Sequence, residues 1–257
     1  MSQINPFEPI GHESLSDAVV EQIENMIVDG ILKEGRRLPS ERELAMMMGV
    51  SRPKIREALH ILEERGLVTV RHGEGAFIAA LTGTALSPAM LGLYARHSEA
   101  FFDYLEYRRE QEAFASRLAA QRATVADKER IIEIMNVLQQ SWEDDDLETS
   151  QEADFQFHQA ITDASQNTTL IHMMASIYDL TRSRIFFNRD FLRSIDGSGR
   201  SLLDQHLEIG QAVLDGDAVR ADKAARNHLD FVEKSVRFGQ EQKQREAKAI
   251  KRRQFSR

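Results

Sequence analysis

Residues 38–79 read LPSERELAMMMGVSRPKIREALHILEERGLVTVRHGEGAFIA, and this stretch decides the N-terminal fold. Ser40 followed three residues later by Glu43 is a capping box, so a short helix opens there. Gly49 breaks it, and Ser51 caps a second helix running to about Arg65. Leu44, Ala45, Val50, Ile55, Ala58, Leu59 and Leu62 can bury one side of that pair. Residues 67–71 (LVTVR) and 76–78 (AFI) are β-prone, and His72-Gly73-Glu74-Gly75 supplies a hairpin turn between them. Upstream, residues 14–30 put Val19, Ile23, Met26 and Ile27 on one helical stripe, with Ser14 or Ser16 as cap and Gly30 as stop. Three helices followed by a β-hairpin make a winged helix-turn-helix.

Outward from this stretch the character changes. Residues 1–13 form a polar, acidic arm without the features of a signal peptide. Residues 80–89 (ALTGTALSPA) read as a linker. Beyond it the pattern predicts helices near 90–97, 99–122, 125–142, 148–164, 168–190, 200–215 and 217–242 with no strand, hence an all-α bundle over 90–239. The pairs Met173-Met174 and Phe186-Phe187 are expected in its core. The basic tail, 240–257, is poor in apolar residues and is expected to fray. The fold class is therefore mostly α: a winged helix-turn-helix plus a C-terminal helical bundle.

Composition narrows the function. The chain has 257 residues, 42% hydrophobic and 29% charged, which suits one or two globular domains. No cysteine is present, which excludes a disulfide scaffold, a cysteine zinc finger and a thiol nucleophile. No apolar run approaches the ~18 residues of a membrane span, so no membrane is expected and the default compartment is the cytoplasm. The net charge of −8 is unevenly spread. Residues 36–72 carry eight basic and five acidic groups, residues 81–242 carry 17 and 27, and the last fifteen carry seven and one. Screening over ~8–10 Å lets a locally basic segment bind phosphates despite an acidic body.

Two constellations carry chemistry. Arg42, Ser51, Arg52, Lys54 and Arg56 fall in the helix-turn-helix, with Arg52 and Arg56 four apart on one face. Arg52 stands at the N-terminal end of the second helix, the part that enters a major groove in this motif. An arginine fork suits guanine O6/N7 or a phosphate, and His72 and Gly73 at the wing tip suit backbone or minor-groove contact. The second constellation is Asp154 and His158, one helical turn apart, with His206 and His228 on later helices. Four O/N donors from three helices could converge in a bundle core on Zn²⁺, Ni²⁺ or Mn²⁺, zinc being the first choice.

LPSERELA, VSRPKIREAL and RHGEG match in order and spacing, over about residues 14–79, the DNA-binding domain of the GntR family of bacterial transcription regulators, which the chain resembles. The resemblance implies DNA contacts from Arg42, Arg52, Arg56, His72 and Gly73, with Glu74 departing from relatives that carry a cation at the wing. Over about 98–238, the Asp-x₃-His with the later histidines resembles the FCD effector domain of the FadR subfamily. It carries the family metal ligands onto Asp154, His158, His206 and His228, a set that the fatty-acyl-binding members lack. Arg108 and Asn167 match family positions and are implied in effector binding. An ordinary surface ion pair of Arg108 with Glu112, and a helix-capping Asn167, are the competing readings. VSRPKIREA, DKERI, HLDFVE and the basic tail are most similar to the group of the pyruvate dehydrogenase complex repressor and the lactate-responsive regulators.

The implied protein is a homodimeric transcription repressor on a palindromic double-stranded DNA operator. A small carboxylate such as pyruvate, lactate or glycolate, bound at the metal, would be its effector. The alternatives are a metal-dependent hydrolase or lyase on the helical half, in which Asp/His₃ activates water, and a purely structural metal.

Overall fold

A computed structural model describes residues 14–81, 98–182 and 198–255. The chain forms two compact units, divided near Gly83. The expected arm, the linker beyond Leu81, the helix near 90–97 and the Phe186-Phe187 pair lie outside the described residues.

In the first unit, α1 (Leu15–Val28) opens where Ser14 accepts the Ser16 N–H, and it turns Val19, Val20, Ile23 and Ile27 inward. The capping box of α2 (Glu41–Met48) is formed in both directions: Glu43 N–H donates to Ser40 Oγ at 3.3 Å, and Ser40 N–H donates to Glu43 Oε2 at 2.8 Å. Gly49 ends α2 in the left-handed region, φ 66°, where a β-carbon would be strained, so the chain reverses within three residues into α3 (Arg52–Glu64). Ile55, Ala58, Leu59 and Leu62 recur every three or four residues on α3 and are buried. Burying each of the larger ones contributes about 1.5–3 kcal/mol. The strands β1 (Val68–Arg71) and β2 (Gly75–Ile78) pair antiparallel, with Val68 opposite Ile78 and both in the core. The other face of the wing stays in water.

The second unit contains, among the described residues, six helices: α4 (Ser98–Arg122), α5 (Val125–Glu143), α6 (Leu147–Ala164), α7 (Thr168–Arg182), α8 (Ser198–Leu214) and α9 (Ala218–Phe255). Thr124 and Asp127 form a capping box for α5, and Asp146 caps α6. The main core joins Ile131, Ile134 and Leu138 of α5, Phe157 and Ile161 of α6, Ile209 and Val213 of α8, and alanines of α4 and α9. Small residues let these helices approach closely; a β-carbon on Gly210 of α8 would run into Met135 Sδ of α5.

Two expectations fail here. Met174 is fully buried, but its neighbour Met173 is 55% exposed, because adjacent helix positions point about 100° apart and only one faces the core. The tail does not fray at Gln240; α9 continues to Phe255. Its Lys, Arg, Gln, Glu and Ala are strong helix formers, so propensity extends the helix where burial ends.

Candidate DNA-reading face and metal–effector pocket

The DNA-reading candidates all lie on the first unit's surface. Ser51 is the N-cap of α3, is exposed and makes no side-chain cap bond, so the first-turn N–H groups are not taken by its hydroxyl. Such a helix start favours an anion. Arg52 and Arg56 converge on one acceptor, Glu41 at the first position of α2. Arg56 donates to it twice, Nε at 3.0 Å and Nη2 at 2.8 Å, while Arg52 Nη2 lies 3.8 Å away. The hydrogen bond from Arg56 is the main reason the Glu41 carboxyl is held below its ordinary pKa. Arg42 is exposed on α2, and Lys54 donates to Glu57 at 2.8 Å. His72 and Gly73 are exposed at the wing tip, where Gly73 takes φ 79°. Glu74 sits 3.7 Å from Arg71. The sequence did not reveal Glu41 as a partner, since it is fifteen residues from Arg56 and only the tight turn brings them together.

In the second unit, His158 of α6, His206 of α8 and His228 of α9 are buried, and one ring nitrogen of each lies within 4.8 Å of the others. His158 Nε2 and His206 Nε2 are 3.2 Å apart. Asp154, one turn before His158, brings Oδ1 to 3.3 Å from His206 Nε2 and Oδ2 to 4.0 Å from His158 Nε2. Two ligands of one metal at ~2.0–2.1 Å stand about 3.0–3.4 Å apart; the 3.2 Å and 3.3 Å separations at His206 Nε2 fall in that range, and the 4.0 Å one does not. The outer nitrogens support the same reading. His158 Nδ1 donates to Glu112 Oε2 at 2.7 Å, and His228 Nδ1 lies 3.1 Å from Gln205 Oε1. With Nδ1 so engaged, Nε2 is the nitrogen left to ligate on each of these two rings, as in a carboxylate–histidine–metal arrangement. Burial and then the neighbouring His206 and His158 rings keep His228 neutral by lowering its pKa well below 6.5.

Glu112 links this cluster to Arg108, four residues earlier on α4, whose Nε donates to Glu112 Oε1. The pair exists as expected, but it is buried, with Arg108 6% and Glu112 4% exposed, and is no surface bridge. Burial opposes the Glu112 charge; Arg108 and then His158 outweigh it and hold the carboxyl below its ordinary range. The terminal nitrogens of Arg108 make no hydrogen bond among the described residues, and its guanidinium lies 5.8 Å from the Tyr178 ring centroid. Tyr178 Oη in turn donates to His158 O at 3.2 Å and meets Thr162 Oγ1 at 2.9 Å. Asn167 acts on the backbone instead, where its Oδ1 accepts the Leu170 N–H at 3.1 Å and caps α7. The helix-capping reading of Asn167 is therefore realised, through Oδ1 alone.

Residues 15–78 match the gntR family of bacterial regulatory proteins, and residues 103–231 match the FCD domain. The chain belongs to the GntR family and carries an FCD domain. It is 34% identical, over 89% of each chain, to an Escherichia coli (strain K12) protein named for regulation of the L-lactate dehydrogenase operon. It is 32% identical to the Glc operon transcriptional activator of the same strain, covering 86% of this chain and 89% of that one. The solved Streptococcus agalactiae GntR shares the fold at a TM-score of 0.52 and 23% identity, over 86% of this chain and all of that one. A GntR/FCD protein is a DNA-binding transcription regulator, and these relatives give the hydrolase or lyase alternative no support. Among the described residues, no helix is long and apolar enough to cross a membrane.

In this GntR chain the pocket residues that spacing missed are Glu112, Gln205 and Tyr178. Glu112 was visible only as the i+4 neighbour of Arg108. Gln205 adjoins a metal candidate, and an amide next to a ligand position is the kind of signal that marks a partner of the imidazole Nδ1.

Proposed function

We propose that this chain is a homodimeric, ligand-responsive repressor in the cytoplasm. It binds a palindromic operator through α2, α3 and the wing, and a small carboxylate such as lactate, glycolate or pyruvate modulates it at a divalent-metal site. The observation that carries the reading is the buried convergence of His158, His206 and His228, with half-buried Asp154 3.3 Å from His206 Nε2 and with Glu112 linking His158 to Arg108, whose terminal nitrogens make no hydrogen bond among the described residues. The donor set suits zinc first, with nickel or manganese as alternatives. A bound ion would supply a positive charge to one end of the effector. Arg108 then grips the carboxylate from its own side, and Glu112 fixes the guanidinium by its Nε so that the outer fork stays available. The relative named for the L-lactate dehydrogenase operon supports a small hydroxy acid. A relative named as an activator makes the sign of regulation the point to measure.

The test begins with elemental analysis of the purified protein, where about one divalent ion per chain is expected. DNA affinity is then read with and without lactate, glycolate, pyruvate and citrate, in wild type and in Arg108→Lys. Lysine keeps the charge and loses the fork, so the response should shrink while DNA binding persists. A fully metal-loaded Arg108→Lys protein that responds like wild type would place the carboxylate elsewhere. A protein that binds metal and responds to no carboxylate would make the metal structural.

A further inference from the structure

The last burial on α9 is at Gly239 and Gln240, yet the helix runs on to Phe255 with every side chain from Glu241 to Gln254 exposed. Fourteen residues at ~1.5 Å each carry the chain about 21 Å past its bundle. This projection holds six cations between residues 243 and 253, against the acids Glu241 and Glu246. Arg245, Lys248 and Arg252 fall on one face by their spacing of three and four, flanked by Lys251. Arg245 donates to Glu241 at 3.3 Å. Lys248, Lys251 and Arg253 pair with no carboxylate among the described residues, although residues 81–242 carry ten more acids than bases. The helix thus carries its cations clear of an acidic body.

We propose that this projecting end of α9 is a second DNA contact, gripping backbone phosphates without reading sequence. The inference rests on the chain's being a DNA-binding regulator. A phosphate surface fits better than a protein face for two reasons. Duplex DNA presents one charge per ~1.7 Å, which a line of cations on a rigid helix can follow. Protein interfaces are anchored by aromatic and large apolar groups and are depleted in lysine, and among the described side chains here Ile250 is the only large apolar one.

The experiment uses the full chain and a 60-base-pair duplex of random sequence, with affinity followed by anisotropy from 50 to 200 mM KCl. The variants are the quadruple Lys248→Gln/Lys251→Gln/Arg252→Gln/Arg253→Gln and, separately, Arg56→Ala. The four glutamines sit where nothing is buried, so the fold is retained. The expected result is weaker binding and a salt slope shallower by about 0.9 for each phosphate no longer neutralised, up to about 3.6. An unchanged slope in the quadruple variant, with Arg56→Ala weakened, would overturn the proposal and leave the helix-turn-helix reading standing. A quadruple variant that keeps the slope but sediments as a smaller species would assign the helix to an acidic protein face instead. A wild-type chain that binds no duplex would remove the DNA-binding reading and this proposal together.

Discussion

The two arginine sites differ in what holds their charge. On the first unit, Arg52 and Arg56 share Glu41 in water, with side chains 60% and 67% exposed. In the bundle, Arg108 and Glu112 share a buried contact that continues into His158. A surface pair contributes little to folding, so changing either partner should leave the first unit folded. A buried pair cannot let go, because the abandoned charge has no water to turn to. The exposed arginines are therefore separable from folding, whereas Arg108 is part of the core.

The largest effect should come from cutting the buried pair. Arg108→Ala strands the Glu112 carboxylate and is expected to destabilise the second unit by about 3–5 kcal/mol, read from a urea midpoint. Glu112 is held below its ordinary pKa of 4.5, so in wild type it stabilises the fold above that value and loses this contribution as pH falls below it. Without Arg108 the carboxyl rises and takes up a proton, so the penalty should shrink between pH 7 and pH 5. An Arg108→Ala protein that unfolds like wild type at pH 7 would show the pair to be solvated and would erase the contrast.

Metal removal should come next. An ion that binds only the folded state stabilises it by about 2.7 kcal/mol at a hundredfold excess over its Kd. A chelator should lower the melting temperature accordingly, and His206→Ala or His228→Ala should lower metal content. Acid should act the same way. Buried, His228 resists protonation while the unfolded chain accepts a proton below 6.5, so stability is full above that pH and falls as pH drops through it. Imidazole must also be neutral to ligate, so metal is lost over the same range. A chelated protein whose melting temperature stays flat from pH 8 to pH 5 would mean that the rings are not sealed.

The sequence made the first site readable and half hid the second, for a physical reason. Ser40/Glu43, Gly49 and the 55/58/59/62 stripe are local signals, each acting within one or two turns, and the structure realises them. On α4, Arg108, Glu112 and Ser116 fall on one stripe at spacing four, which looks like a solvated face. All three are buried, because α4 is covered on several sides by α6, α7, α8 and α9. A polar stripe can also be enclosed, and only the packing reveals the enclosure. The histidines escaped this ambiguity only as a group; singly, none declared itself.

The smallest effects belong to the exposed site and separate affinity from stability. Arg52→Ala should cost about 1–3 kcal/mol of operator affinity if Arg52 reads a base, and leave the melting temperature where it was. Glu41→Gln probes the other side of the same pair. It keeps the shape and removes one negative charge beside the phosphates, so random duplex should bind about two- to fourfold more tightly. Operator DNA should gain less, because Arg56 loses the two-pronged acceptor that orients it and Arg52 its counter-charge. The ratio of operator to random affinity should then narrow, with the melting temperature moving by no more than about 2 °C. A ratio that widens instead would mean that Glu41 competes with the base edges and does not aim the arginines at them. A melting temperature that falls as far as in Arg108→Ala would mean that the exposed pair holds the turn at Gly49 together, and the line between a replaceable surface charge and a structural buried one would have to be redrawn.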